Sequence, residues 1–229
     1  MSGSFTKRVK DWGLRRALYH QLMCTLQRFV DFELAYVGAG VDQRRKRDLE
    51  PPEVPADYDT RIVDIEELFP FVSEHTDLTE HFLRTAIENG DQCVANFFKG
   101  QLVGYGFSTR TRAVVTDQIH VTVPDGFRYG YKTWTDPEHR RMHLTRMRGF
   151  VRRRENPSDY TETHVWYIST HNYPSLLHGY RHPRERGVRM GFVGYVSVLG
   201  RQIPFNSRKA NWIGFRFKRN DDNRKYYYG

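Results

Sequence analysis

The chain has 229 residues, 38% of them hydrophobic and 14% aromatic, and carries a net charge of +9. That apolar mass supports a packed core and excludes a disordered chain, while no apolar run reaches the roughly 18 residues that cross a bilayer. The positive balance favours anionic partners: nucleic acid, a phosphorylated donor, an acidic carrier protein or an anionic membrane face.

Residues 5–30 place Trp12, Leu14, Ala17, Leu18, Leu22, Leu26 and Phe29 at three- and four-residue spacing among lysines and arginines. This period predicts one amphipathic basic helix. Its apolar face either packs on the body of the protein or lies on a membrane surface or partner. Lys7, Arg8 and Lys10 are not followed by the apolar block of a secretory leader, so a cytoplasmic location is expected. Cys24 and Cys93 are too few for a disulfide framework or a zinc cluster and are expected as buried thiols. A short strand is predicted over 32–37. Residues 38–55 read as a linker, with glycines, three prolines and the run Arg44-Arg45-Lys46-Arg47. The run is a solvated loop or a lid over phosphates.

From residue 60 the pattern becomes regular. A strand is predicted over 61–65, a helical stretch over 65–69, and a helix capped by Asp77 or Thr79 that reaches Asn89. Residues 92–98 and 101–109 read as strands joined by the two-residue hairpin Lys99-Gly100. Their aromatics Phe97, Phe98, Tyr105 and Phe107, with Tyr129, Tyr131 and Trp134, are expected in the core. Residues 114–123 read as irregular with a strand portion, 127–135 as a strand and 138–154 as a helix broken by Asn156-Pro157-Ser158. A strand follows over 164–170, and Asn172 opens another helix. Residues 192–199 and 202–206 form a closing hairpin about Gly200, and 218–229 read as a loose polar tail.

This order predicts an α/β fold with a mixed central sheet and flanking helices. The chain divides into an N-terminal helix, strand and basic linker (1–57), a catalytic domain (58–217) and the tail (218–229). A right-handed parallel crossover joins 127–135 to 164–170. Ligands of such sheets sit outside the carboxyl ends of the strands. There the unpaired first N–H groups of a helix point at an anion.

Three segments occur in the order Asp136-Pro137-Glu138-His139-Arg140-Arg141-Met142-His143-Leu144-Thr145, Asn172-Tyr173-Pro174-Ser175 and Gly191-Phe192. Together they resemble the GNAT superfamily of N-acyltransferases over residues 60–206. The resemblance implies a GNAT-like acyl-CoA N-acyltransferase fold. It implies transfer of an acyl group from acyl-CoA or acetyl-CoA to a primary amine of a small molecule, by direct attack on the thioester. In that family the opening arginine or glutamine is followed by a glycine, a variable residue and a glycine or alanine, whose amides take the donor pyrophosphate. Carried over, Arg140, Arg141, Met142, His143, Leu144 and Thr145 hold the donor phosphates, and Asn172 and Ser175 line its pantetheine. The thioester carbonyl meets a backbone N–H at the strand end that includes Thr133, Trp134 and Thr135.

Arg141 and His143 stand where the family has glycines, which let a backbone approach phosphate closely. Their side chains turn away and leave the amides working, or arginine grips phosphate directly, or the donor is an acyl carrier protein with a single phosphate. The alternative function is a basic GNAT-like protein that binds or modifies nucleic acid with a degraded coenzyme A site. A homodimer through the closing strands is left open.

Acyl transfer needs a polarised carbonyl, a deprotonated amine and a protonated leaving thiolate. The resemblance implies a tyrosine as thiol acid. Tyr180 is the best placed, with Tyr173 and Tyr195 competing, and packing is the bland role for each. His120 is the candidate base, histidine being the side chain that titrates near neutrality, with Asp117 and Glu162 as alternatives. The pairs His139/His143 and His178/His182 have metal-ligand spacing. They lack the glutamate of HExxH and a third ligand, so no metal is expected. Arg140, Arg141, Arg146, Arg148, Arg152, Arg153 and Arg154 form a solvated basic face or a surface for phosphate or an acidic carrier.

Overall fold

The computed structural model describes residues 4–41, 50–72, 78–156, 163–173, 175–176 and 188–220. The main sheet contains β1 (Phe32–Val41), β2 (Tyr58–Val63), β3 (Gln92–Phe98), β4 (Gln101–Thr109), β7 (Phe127–Thr135), β8 (Thr163–Ser169), β9 (Val188–Val198) and β10 (Arg201–Asn206). Its order is β10-β9-β1-β8-β7-β4-β3-β2, and a small second sheet joins β5 (Arg112–Val114), β6 (Ile119–Thr122) and β11 (Arg216–Arg219). The helices are α1 (Phe5–Trp12), α2 (Leu14–Leu26), α3 (Glu80–Glu88), α4 (Leu144–Glu155) and α5 (Arg208–Ile213), with a 3-10 helix at Ile65–Phe71. This is the expected mixed α/β sheet with flanking helices.

Local chemistry explains the elements that match expectation. Lys99 and Gly100 both have positive φ, 50° and 84°, as a tight hairpin between twisted strands requires. Leu199 and Gly200 repeat this at 51° and 77°. The Thr79 hydroxyl caps α3 by accepting from the Phe82 N–H at 3.1 Å. Asp77 lies outside the described residues.

Several expectations are corrected. The N-terminal helix is two helices, because Gly13 adopts φ 84° and ψ 156°, which breaks the helical path between α1 and α2. The strand expected over 32–37 extends through Val41 and lies inside the sheet, antiparallel to β8 on one side and β9 on the other. Gly38, read as the start of a linker, is a packing position: a Cβ there would sit 2.0 Å from the Trp166 ring on β8. The run Arg44-Arg45-Lys46-Arg47 lies outside the described residues. The helix expected from residue 138 begins only at Leu144. The tail contributes β11, and α5 was not anticipated, although Ser207 caps it and Gly214 at φ 83° ends it.

Two apolar cores sit on one face of the sheet. One packs Ala35, Val37, Tyr129, Val165, Val193 and Tyr195 against Ile119, Val121, Phe215 and Phe217 of the small-sheet side. The other packs the 3-10 helix and α3 on Ala95, Phe97, Tyr105 and Phe107. Helix α4 packs on β2, β3 and β4. It covers the opposite face, since Arg148 approaches Asn96, Gly104 and Gly106, which alternate with the core residues.

Candidate functional site

Strands β7 and β8 run parallel but pair only over Phe127↔Thr163, Arg128↔His164 and Tyr129↔Val165. Beyond that point β7 follows β4 and β8 follows β1, which opens the sheet toward its carboxyl edge. Within this opening β7 carries a bulge. Tyr131 pairs with Phe107 and Trp134 with Tyr105, so Lys132 and Thr133 face Gly106 alone. Lys132 takes φ 47° and its ammonium lies 4.7 Å from the centre of the Phe82 ring. A bulge removes a residue from the ladder and re-aims its backbone groups. Trp134 stacks on Tyr105 at 5.5 Å, so its ring belongs to the core side, while Thr133 is exposed.

The loop after β7 is pinned at both ends. The Asp136 N–H donates to the Val103 carbonyl at 2.9 Å, and the Asp136 carboxylate caps a 3-10 turn by accepting from Glu138 N–H at 2.8 Å. His139 Nδ1 lies 2.7 Å from the Tyr58 hydroxyl, with its ring against Phe98. His139 and His143 therefore do not share a helical turn: one belongs to the 3-10 turn and the other precedes α4. Among the described residues no group of three or more His, Cys, Asp or Glu is arranged to hold a metal ion.

Arg141 and His143, at the two glycine positions of the resemblance, have φ 71° and 55°. These are left-handed conformations, which cost an L-residue about 1–2 kcal/mol each. The backbone thus keeps the shape for which glycine is suited. Both side chains are exposed, as are those of Arg140, Met142 and Thr145, and Leu144 is buried. His143 makes no side-chain cap to α4. The first N–H groups of a helix have no intrahelical partner and carry the positive end of its dipole, which favours an anion. Arg140 Nε donates to the Thr135 carbonyl at 3.2 Å and stands at the rim.

Beneath the loop lies Arg148, only 5% exposed. Its guanidinium donates to the Asn96 side-chain oxygen, to Thr135 Oγ1 at 3.2 Å and to Thr145 Oγ1 at 3.1 Å. It therefore ties the end of β7 and the first turn of α4 to β3. Burial pushes this guanidinium down to about 10, and among the described residues no carboxylate pairs with it. Gly104 makes room for it: a Cβ there would lie 2.6 Å from Arg148 Nη1 and 2.9 Å from Asn96 Oδ1. The seven arginines of 140–154 are not one solvated face, since Arg148 and Arg153 are both buried.

At the end of β8, Asn172 Oδ1 accepts from the Ser175 N–H at 3.4 Å and the Asn172 carbonyl accepts from Leu176 N–H at 3.0 Å. Asn172 opens a helical turn, as expected. Helix α2 docks on this corner: the Tyr19 hydroxyl meets Thr170 Oγ1 at 2.7 Å and His20 Nδ1 meets the His171 carbonyl at 2.9 Å. Tyr173 packs against Trp12 and Tyr19. Tyr180, Glu162, His178 and His182 lie outside the described residues. The Tyr195 hydroxyl donates to Asp31 at 3.1 Å, and burial raises its pKa. His120 and Asp117 belong to the small-sheet side, not to the β7–β8 edge, and both are joined to Asn220.

Two half-buried carboxyls escaped sequence reading. Burial raises Asp91 to about 6, opposed by hydrogen bonds from Thr109, Tyr131 and Asn89. Glu33 on β1 accepts from Ser169 Oγ at 2.5 Å, and burial raises it too. Their sequence neighbourhoods resemble many surface acids. Only the packing distinguishes them.

No family model matches the chain, and no curated protein matches it. Among solved structures it is similar to a tandem GNAT protein from the clavulanic acid biosynthesis pathway, at 14% identity and TM-score 0.49, covering 77% of this chain and 57% of that one. It is also similar to an N-acetyltransferase from Kribbella flavida, at 15% identity and TM-score 0.36, covering 64% of this chain and 53% of that one. An aminoglycoside acetyltransferase from an uncultured soil metagenomic sample, in complex with trehalose, is similar at 13% identity and TM-score 0.38 over 56% of this chain and 88% of its own. The chain thus spans just over half the length of the first two.

Proposed function

We propose that this protein is an N-acyltransferase that moves an acyl group from acyl-CoA, or from an acyl carrier protein, to a primary amine of a small molecule. The observation that carries the proposal is the backbone of the β7–α4 connection. A bulge at Lys132–Thr133 opens beside a parallel neighbour, and left-handed residues at 141 and 143 lead into an uncapped helix. Such a loop accepts phosphate through amides, and it does so without glycine because the two side chains point out to solvent.

The residues present fit a phosphate-bearing donor. The amides of the loop and of the first turn of α4 would hold the phosphates, with Arg140 at the rim and the Arg148 charge below. The donor supplies a thioester carbonyl. The N–H groups re-aimed by the bulge are suited to polarising that carbonyl, since preorganised dipoles stabilise a developing oxyanion without reorganising. The acceptor nitrogen attacks the carbonyl carbon as a free amine, the C–N bond forms and the C–S bond breaks. The amine gives up one proton, and the thiolate takes one. Tyr180 is proposed as the acid on the resemblance alone.

The test is thermal unfolding with coenzyme A or acetyl-CoA, with nucleic acid as the comparison. Ligand that binds only the native state raises the midpoint, so coenzyme A is expected to stabilise the protein. Arg140→Ala should weaken that effect while leaving the midpoint without ligand unchanged. Stabilisation by neither thioester nor coenzyme A, together with salt-sensitive nucleic acid binding, would refute the proposal.

A further inference from the structure

Helix α2 carries two faces with different fates. Tyr19 and His20 bind the body at Thr170 and His171, and Ala17 and Met23 are buried. Leu14, Leu18, Leu22 and Leu26 are 56%, 52%, 55% and 41% exposed, and Phe29 and Val30, just beyond the helix, are 81% and 40% exposed. The leucines belong to the apolar face for which sequence left both packing on the body and a membrane or partner surface open. The structure turns them outward and packs the small and aromatic side chains instead.

Geometry and charge together identify what covers this face. At about 100° per residue, four leucines in steps of four sweep a sector of about 120°. A coiled-coil partner wants alternating steps of three and four, which keep a narrow seam. A broad sector suits a plane. Helices α1 and α2 also hold Lys7, Arg8, Lys10, Arg15 and Arg16 against the single acid Asp11. Arg15 and Arg16 are exposed in the first turn of α2, beside the leucines. An exposed apolar sector with cations clustered at its N-terminal end is a composition that binds a bilayer rich in anionic lipids.

We infer that α2 is a peripheral membrane anchor, lying in the plane of an anionic lipid surface with Leu14, Leu18, Leu22 and Leu26 in the acyl boundary and the arginines at the headgroups. This does not depend on the acyl-transfer proposal. Vesicle co-sedimentation of the full chain tests it, with phosphatidylglycerol-rich vesicles and with phosphatidylcholine alone. The wild type is expected to bind the anionic vesicles, to bind less as salt rises, and to bind phosphatidylcholine weakly. Leu18→Glu/Leu22→Glu should reduce binding by roughly tenfold or more for each leucine. Arg15→Glu/Arg16→Glu, at exposed positions that leave the fold alone, should reduce it on anionic vesicles only. Failure of the wild type to bind anionic vesicles would overturn the inference, as would variants that bind like the wild type. So would light scattering that shows a dimer which Leu18→Glu/Leu22→Glu returns to monomer, with no vesicle binding by either.

Discussion

Replacing Arg148 with methionine tests whether the cation under the loop serves the fold or the ligand. Burial that lowers its pKa from the ordinary arginine range to about 10 opposes folding by about 3 kcal/mol. The sign follows from the proton balance. A base whose folded pKa lies below its unfolded one destabilises the native state in full below about pH 10, and releases that penalty as pH rises above it. Removing the guanidinium removes the penalty. It also strips a donor from the Asn96 side chain, which is fully buried, at about 1–3 kcal/mol. The Thr135 and Thr145 hydroxyls can rotate toward other partners. The two effects nearly cancel, so Arg148→Met should unfold within about 2 kcal/mol of the wild type, with a difference that stays flat from pH 5 to about 9. Breaking a buried ion pair would cost about 3–5 kcal/mol instead.

The same substitution should weaken coenzyme A binding by about tenfold or more, because it deletes an uncompensated charge below the anion site. Urea unfolding at several pH values and titration calorimetry with coenzyme A read the two effects separately. A loss above about 4 kcal/mol would make Arg148 a structural brace. Unchanged affinity at unchanged stability would remove it from the site altogether.

Arg141→Gly and His143→Gly should each stabilise the protein by about 0.5–1 kcal/mol, the left-handed penalty less the extra entropy of glycine. Coenzyme A affinity should hold in both. A drop would mean that the side chains, not the amides, grip phosphate. Asp91, raised to about 6 from 3.8, binds more protons folded than unfolded, so its contribution to stability grows as pH falls from about 6 to about 4, by up to about 3 kcal/mol. Asp91→Asn should remove that rise in urea midpoints, and an unchanged pH profile would show that Asp91 titrates normally.

Much of the fold was legible where local chemistry decides it. The strands Gln92–Phe98, Gln101–Thr109 and Phe127–Thr135 have the bounds expected, because a Lys-Gly hairpin and apolar alternation fix them within a few residues. The start of α4 was misread for a specific reason. Asp136-Pro137-Glu138 is a true cap signal, and the Asp136 carboxylate does accept from Glu138, but the turn it caps lasts three residues. What ends it is the extended backbone at Arg140, followed by the left-handed Arg141, a conformation that sequence would announce with glycine. Gly38 was misread in the converse way. It lies inside β1, where the register with β9 shifts, and admits the Trp166 ring. Arg148 was hidden among similar arginines, because its burial depends on α4 facing Gly104 and Gly106.

The opening between β7 and β8 has a cause in the N-terminal segment that sequence set apart. Strand β8 keeps three pairs with β7 but seven with β1, from Ala35↔Ser169 to Val41↔Thr163. A strand that parts from its neighbour leaves backbone groups without partners, which is costly unless something else meets them. Strand β1 satisfies one side of β8 along its length, and Thr170 N–H continues the contact to the Leu34 carbonyl at 2.8 Å. Among the described residues the β7–β8 register ends at Tyr129↔Val165. An extended ligand with amides of its own would lie along that edge as an added strand does. In the proposed function that role falls to the pantetheine arm, lying between Thr133 and Asn172. The amine would then arrive beside Ser169 and the Glu33 carboxyl, which β1 itself brings to the edge. The segment that looks like an appendage thus pairs with β8 along the length where β8 leaves β7.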